Sequence, residues 1–157
     1  MAEAISLGAR LRQLVVALDG EVQGLYNAAD IPFRPRFYPF VQHLLEIDDA
    51  SVRMLAAAAA VSQPAATQTL DEMKRAGLVE PAGSDSRRER RVRLTAASRA
   101  LAERLAPTWR AIELAAAELA RELPHRLSRT IDLALAALQE RPFGERVRTM
   151  LPALEKD

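Results

Sequence analysis

Residues 51–95 read SVRMLAAAAAVSQPAATQTLDEMKRAGLVEPAGSDSRRERRVRLT, and the order of patterns in this stretch decides the fold. Strong helix formers over 51–60 predict one helix, and start and stop signals around 62–76 predict a second helix after a tight turn. Over 78–95 apolar residues alternate with polar ones, which is typical of a half-buried pair of strands. The hairpin region carries five arginines within seven positions: Arg87, Arg88, Arg90, Arg91 and Arg93.

The segments outside this stretch are predicted to be helical. Upstream, an apolar stripe from Leu11 to Leu25 follows helical spacing, and a shorter helix over 36–47 follows a proline-containing break. Downstream, a long helix capped by Thr95 is followed by a helix over 127–138 and by a last turn or two over 145–151. Thirty alanines and seven aromatic residues agree with a mainly helical chain.

The central order is helix, helix, tight turn, helix and arginine-rich hairpin, and this is the order of a winged helix-turn-helix. The sequence therefore predicts a mainly α fold with a small β-hairpin wing. In such folds the second helix of the pair enters the major groove of DNA, and the hairpin reaches along the backbone toward the minor groove. On a helical wheel of residues 62–76, Ala66, Leu70 and Met73 share one face and are expected to pack on the core.

The opposite face of this helix supplies the candidate base-reading residues. Thr67 and Gln68, with Ala65 beside them, lie near the helix start, where recognition helices reach base edges. A glutamine can pair bidentately with adenine, and an alanine or threonine can contact the thymine methyl group. Backbone amides at the helix start and the arginines are expected to meet phosphates. The predicted DNA contacts are Ser62, Gln63, Ala65, Thr67, Gln68, Arg75, Arg87, Arg88 and Arg90.

Composition excludes several classes of function. The 157 residues include no cysteine, which excludes disulfides, thiol redox sensing and cysteine-based metal sites. Two histidines 82 positions apart make a metal site improbable, and no cofactor is predicted. Because the chain lacks a glycine-rich phosphate loop and the common hydrolase motifs, it is not expected to be an enzyme. No apolar run approaches the ~20 residues of a membrane span, so a soluble, cytoplasmic protein is expected.

An aromatic cluster between Phe33 and Phe40 has two interpretations. It could line a ligand pocket in which Arg34 and Arg36 pair an anionic effector, or it could be ordinary packing in the core and at a dimer interface, which is the more frequent role of such residues. The candidate pocket residues are Phe33, Arg36, Phe37 and Phe40.

Residues 51–81, followed by the arginine-rich segment 87–95, resemble the MarR family of bacterial transcription regulators. The resemblance covers about residues 35–110, and the flanking helices match mainly in length and order. It implies a homodimer held by N- and C-terminal helices that binds a pseudo-palindromic operator. Members commonly repress and are released when a small ligand binds between the dimerisation and DNA-binding parts. The implied organisation is an N-terminal dimerisation helix (1–30), the winged helix-turn-helix (31–95) and C-terminal dimerisation helices (96–157).

Three positions depart from the pattern of this family. Ala60 stands in the turn where the family usually has glycine, and Gln68 stands where it often has arginine. Ser86 replaces the aspartate that usually precedes the wing arginine pair, with Asp85 one place earlier. The substitution at Gln68 implies a different operator preference.

A second function of another class also fits the arginine-rich wing. A winged helix can act as a protein-interaction module in which the wing binds an acidic partner. Such a module would bind DNA weakly and without sequence preference, and the binding would fall steeply with salt. The polar residues Thr67 and Gln68 on the outward face favour base reading instead.

Overall fold

The structure is a computed structural model that describes residues 6–82 and 91–154, with side chains as far as Met150. The helices in these residues are α1 (Leu7–Ala28), α2 (Tyr38–Ile47), α3 (Val52–Ala58), α4 (Gln63–Arg75), α5 (Ala96–Glu122), α6 (Leu127–Glu140) and α7 (Phe143–Leu154). A 3-10 turn over Pro35–Phe37 precedes α2. The strands are β1 (Asp49–Ser51), β2 (Val79–Pro81) and β3 (Arg91–Leu94).

Hydroxyl side chains cap the helices at the start points that the sequence predicts. Ser51 Oγ accepts a hydrogen bond from the N–H of Met54 at the start of α3, and Ser62 Oγ accepts one at the start of α4, each at 3.4 Å. Thr95 Oγ1 accepts the N–H of Ser98 at 3.1 Å before α5. Each cap satisfies a backbone donor that has no partner within its helix, so the boundaries are fixed locally.

α2 is followed by a residue with a positive φ, Asp48 (φ 62°), and three further helices end on such a residue and then reverse in the same way. The residue is Asp30 (φ 53°) after α1, Ala60 (φ 53°) after α3 and Gly77 (φ 71°) after α4. After α3 the N–H of Val61 donates to the carbonyl of Ala56 at 3.0 Å, and α1 and α4 end with the equivalent bond. This is the Schellman ending, which reverses the chain within two residues. It produces the tight turn between α3 and α4.

The sheet has three strands in the order β1-β3-β2, with β3 antiparallel to both neighbours. The predicted pair, β2 and β3, is confirmed, but the sequence prediction missed β1. Asp49 pairs with Arg93 and Ser51 with Arg91. Three residues are too short to show alternation, and Ser51 both ends β1 and caps α3, so the helix-start signal is the only one that the segment carries in the sequence.

The core of the helix-turn-helix lies between α2, α3 and α4. Val41, Leu44 and Leu55 are fully buried, and so are the side chains that the helical wheel assigns to the inner face of α4. Of these, Ala66 and Met73 are 0% exposed. This packing orients α4, because burying one face commits the opposite face to solvent.

The chain divides into two compact units, residues 1–107 and 108–157. The division falls at Pro107, which lies inside α5 and cannot donate the backbone hydrogen bond of its position. The second unit contains α6, none of whose residues 127–140 is buried, and α7, which is longer than the predicted turn or two. In the part of the chain that the structure describes, no helix has the length and apolar character that a membrane crossing requires.

Candidate nucleic-acid interface

The first two turns of α4 present a solvent-exposed face of small and polar side chains. Ala65, Thr67 and Gln68 are all exposed, together with Ser62 and Gln63 at the start of the helix. The five predicted contacts of this helix start therefore lie on one accessible end of α4. The positive end of the helix dipole also favours an anion at this end.

The hydroxyl group of Thr67 already has an internal partner. Thr67 Oγ1 donates to the backbone carbonyl of Gln63 at 2.9 Å, one turn earlier in the helix. With this hydrogen engaged, the side chain offers an incoming group its methyl group and its oxygen lone pairs. Those are a contact for a thymine methyl and an acceptor for a base amino group.

Two arginines of the arginine-rich segment form ion pairs within the protein. The guanidinium of Arg91 pairs with the carboxylate of Asp49 and also donates to the Asp49 carbonyl at 3.0 Å. Arg93 pairs with Glu80 at 2.8 Å across the two hairpin strands. Both pairs connect β3 to a neighbouring strand, so these arginines join the base of the wing to the sheet.

The other wing arginines, Arg87, Arg88 and Arg90, lie outside the described residues, as do Asp85 and Ser86. Their assignment as DNA contacts stays a prediction. The ion pairs of Arg91 and Arg93 agree with leaving these two residues out of the predicted contacts. A guanidinium already paired with a carboxylate contributes less to phosphate binding than one that is not paired.

A cavity adjoins the C-terminal end of α4, opposite the exposed start of the helix. This cavity of about 840 Å³ is lined by Gln23 and Asn27 of α1, the chain from Ile31 to Arg34, Phe37, Glu72 and Arg75 of α4, and Ala76 directly after it. Glu72 is contacted by two arginines from the segment before α2. Arg36 Nη2 pairs with Glu72 Oε2, and Arg34 Nη1 lies 3.6 Å from the same oxygen.

The predicted aromatic cluster is buried. Phe33, Phe37 and Phe40 are each 2% exposed, and Phe33 stacks edge-to-face with Tyr26 and with Phe37 at centroid distances of 5.4 and 5.8 Å. Phe33 and Phe37 line the cavity, whereas Phe40 does not. Arg36 does not line the cavity either, but it pairs with Glu72, which does. Phe33 and Phe37 are therefore core residues that also border the cavity, and a ligand bound there stays a prediction.

The sequence analysis did not identify Gln23 and Glu72 as residues that hold the wall of the cavity together. Gln23 Nε2 donates to Asn27 at 3.0 Å and to the carbonyl of Phe33 at 3.1 Å, which joins α1 to the cavity wall. The helical period of α4 places Glu72 beside the exposed face of the helix, yet its side chain turns to Arg36. No local pattern reveals a pair separated by 36 positions. Arg75, predicted to meet phosphate, also lines the cavity.

Solved structures of transcriptional regulators resemble this chain. A MarR family regulator from Silicibacter pomeroyi is 25% identical with a TM-score of 0.57, and the match covers 85% of this chain and 93% of that one. A MarR family protein from Mycobacterium tuberculosis, in complex with salicylic acid, is 26% identical with a TM-score of 0.51, covering 88% and 99%. The M. tuberculosis transcriptional regulator MosR, in complex with DNA, is 23% identical with a TM-score of 0.69, covering 87% and 99%. No protein-family model and no curated protein matches the chain.

The helix-turn-helix and its three-stranded sheet agree with these matches. Two of the relatives carry the MarR family name at 25% identity or more, over at least 85% of this chain. Within residues 51–95, the capped helices and hairpin strands described above are the elements that the resemblance implies. The chain has the winged helix-turn-helix fold of MarR family transcriptional regulators and is similar to two of them, at 25% and 26% identity, along most of its length.

Proposed function

We propose that this regulator is a sequence-specific repressor that binds double-stranded DNA as a homodimer in the cytoplasm and leaves its operator when a small ligand binds. The observation that carries the DNA part is the exposed start of α4. There Ala65, Thr67 and Gln68 stand on a capped helix whose other face is buried. A rigid helix that presents medium-length polar side chains is the geometry that reads base edges.

The charge distribution supports the same assignment. Residues 51–95 hold eight basic and five acidic groups, while residues 1–50 hold four and seven. The positive excess therefore lies on the helix-turn-helix and its hairpin, where phosphates would approach. Twenty of the 22 basic residues are arginine, whose planar guanidinium suits bidentate contacts with phosphate and guanine.

Exposed apolar side chains on the flanking helices support the homodimer. Val16 of α1 is 70% exposed, and Ile131 and Leu135 on one face of α6 are 39% and 56% exposed. Large apolar surfaces of this kind mark association sites, and a second copy of the same chain is the commonest partner. Two recognition helices in a symmetric dimer would then read half-sites ~34–36 Å apart, one turn of DNA.

The cavity supports a ligand-controlled regulator. It adjoins α4 through Glu72 and Arg75, so an occupant would contact the recognition helix itself. One of the similar structures was solved with salicylic acid and another with 4-hydroxyphenylacetate, and both compounds are small aromatic acids. A ligand of that size fits the usual volume of small-molecule sites.

A fluorescence-anisotropy titration tests the DNA-binding function. The protein is titrated against the DNA upstream of its own gene and against a scrambled duplex, at 50 and 200 mM salt. We expect a preference of ~10³ or more for one site within the upstream DNA. Equal and steeply salt-dependent affinity for both duplexes, or no binding to either at 50 mM salt, would contradict specific regulation of that gene. The absence of binding would favour the protein-interaction module.

A further inference from the structure

A carboxylate on α4 is held from outside the helix by two arginines. Glu72 lies in the third turn of α4, and its side chain is 15% exposed. Arg36 Nη2 pairs with Glu72 Oε2, and Arg34 Nη1 lies 3.6 Å from the same oxygen. Both arginines belong to the segment before α2, so these contacts join two elements that are far apart in the sequence.

The segment that carries the two arginines is itself anchored. Phe33 and Phe37, on either side of it, are each 2% exposed. The carbonyl of Phe33 accepts a hydrogen bond from Gln23 of α1 at 3.1 Å, and the guanidinium carbon of Arg36 lies 6.0 Å from the centre of the Phe37 ring. Glu72 is therefore bound to a support that is fixed both in the core and to α1.

The buried face of α4 restrains the rotation of the helix about its axis less sharply than this ion pair does. Its apolar side chains are Ala66, Leu70 and Met73. Apolar burial is not directional, and a methionine adapts to the gap that it fills. A charge-assisted hydrogen bond has a preferred geometry. The contact of Glu72 with the two arginines is thus a directional restraint on α4.

The rotation matters because Gln68 lies one turn before Glu72 on the same helix. The ends of side chains lie about 5–6 Å from a helix axis, so a rotation of about 10° shifts them by about 1 Å. Hydrogen bonds require a separation between about 2.7 and 3.2 Å. A rotation too small to disturb the core is therefore large enough to break a bidentate contact with a base.

We propose that Glu72 is a positioning residue for base readout. Held by Arg34 and Arg36, it sets the rotation of α4 that aims Gln68 at a base pair. This inference rests on the proposed function, since it takes α4 to be the helix that reads DNA. It adds a determinant of sequence preference that acts through another residue and does not itself contact a base.

Substitution of each partner of the ion pair separates positioning from charge. If charge alone mattered, Glu72→Gln would strengthen binding to every duplex and Arg36→Gln would weaken it. If the pair positions Gln68, both variants lose sequence preference. Wild type and variants are each taken through selection from a random duplex library, and the duplex that the wild type selects is then titrated beside a scrambled duplex by fluorescence anisotropy. Asp71→Asn removes a charge from the neighbouring, exposed position of α4 and is the matched control.

The measured quantity is the ratio of the affinities for the selected and the scrambled duplex. Glu72→Gln and Arg36→Gln should each lower this ratio by about fivefold or more, which is the lower end of the discrimination that one bidentate base contact supplies. Asp71→Asn should leave it unchanged. In a Gln68→Ala background neither variant should lower it further, because the contact that the pair positions is already absent.

A variant that was merely unstable would lower both affinities alike and leave the ratio unchanged. An unchanged ratio in Glu72→Gln or Arg36→Gln, an equal loss in Asp71→Asn, or an equal further loss in the Gln68→Ala background would overturn the positioning role while the selectivity of the wild type, and with it the proposed function, stands. A wild type that selects no common sequence would instead contradict the proposed function, and the positioning role would fall with it.

Discussion

The helix-turn-helix and α6 both carry apolar stripes, but of the two only the helix-turn-helix buries its stripe within its own chain. Leu44 of α2 and Leu55 of α3 are 0% exposed, whereas Ile131 and Leu135 on the stripe of α6 are 39% and 56% exposed. The same helical periodicity thus has two outcomes. A stripe is buried where a second surface of the chain faces it, and elsewhere it stays available to another molecule.

The largest effect is expected from disrupting the exposed apolar stripe of α6. Leu135→Glu places a charge on the apolar stripe of α6 and should convert a dimer into a monomer, because burying an unpaired carboxylate at an interface is costly. Loss of the second DNA-binding part should lower affinity for a two-half-site operator by ~10²-fold or more. Light scattering at micromolar concentration measures the mass, and anisotropy measures the DNA affinity.

Ala136→Glu is the control for this change, since it adds the same charge to an exposed position of α6 away from the stripe. It should leave both the mass and the DNA affinity unchanged. A wild-type mass of one chain would refute the dimer. A Leu135→Glu variant that keeps the mass of a dimer would show that this part of α6 is not at the interface.

A smaller effect is expected from a substitution on the DNA-facing side of α4, in the helix-turn-helix. Gln68→Ala should cost ~1–3 kcal/mol on the preferred site and relax sequence choice there, because a bidentate contact with a base is lost. Affinity for a scrambled duplex should hardly change. Gln13→Ala, an exposed glutamine of α1, is the control. If the ratio of preferred to scrambled affinity survives in Gln68→Ala, this side chain does not read the sequence.

The wing should contribute affinity without selectivity. Arg88→Ala is expected to weaken binding to all duplexes nearly equally and to reduce the slope of log affinity against log salt by about one, since one phosphate contact is removed. Titrations at four or more salt concentrations give the slope. Arg129→Ala on α6 tests whether any lost positive charge has the same effect. A selective loss on the preferred site would show that Arg88 reads bases.

The smallest effects are expected on the stability of the helix-turn-helix. Two of its helices have Schellman endings, and these endings differ in the residue at the left-handed position. Gly77 and Ala60 have nearly the same positive φ, and a Cβ added at Gly77 would meet nothing within 4 Å. Gly77→Ala should therefore lower the free energy of unfolding by about 1 kcal/mol through backbone strain alone, and Ala60→Gly should raise it by up to about 1 kcal/mol.

Urea unfolding at one protein concentration measures both changes. Ala59→Gly is the control, because Ala59 has a right-handed φ of −86° and glycine there should be destabilising. If Ala60→Gly destabilises as Ala59→Gly does, the left-handed conformation of Ala60 is not a source of strain.

Local signals predicted most of the fold. The caps at Ser51, Ser62 and Thr95 and the stop at Gly77 depend on neighbouring residues, so they can be read along the chain. Strand β1 was missed because its register is set by pairing with β3, more than 40 positions away. Tertiary pairing of this kind leaves no periodic trace in a three-residue segment.

The candidate site was predictable to the extent that it depends on one helix. The exposed and buried faces of α4 follow from its 3.6-residue period, and the structure places Gln68 and Ala66 on them accordingly. The contact of Glu72 with Arg34 and Arg36 depends instead on how two segments meet in space. Sequence reasoning found those arginines as candidate anion ligands, but not the carboxylate that occupies them.

Selection of binding sites from a random duplex library tests the central claim most directly, because it assumes no operator. The wild-type protein is taken through several rounds of binding at 150 mM salt, and the retained duplexes are sequenced. The account predicts a pseudo-palindrome whose half-sites lie one turn of DNA apart, with half-site selectivity that Gln68→Ala relaxes. Retained duplexes with no common sequence would contradict sequence-specific recognition by α4.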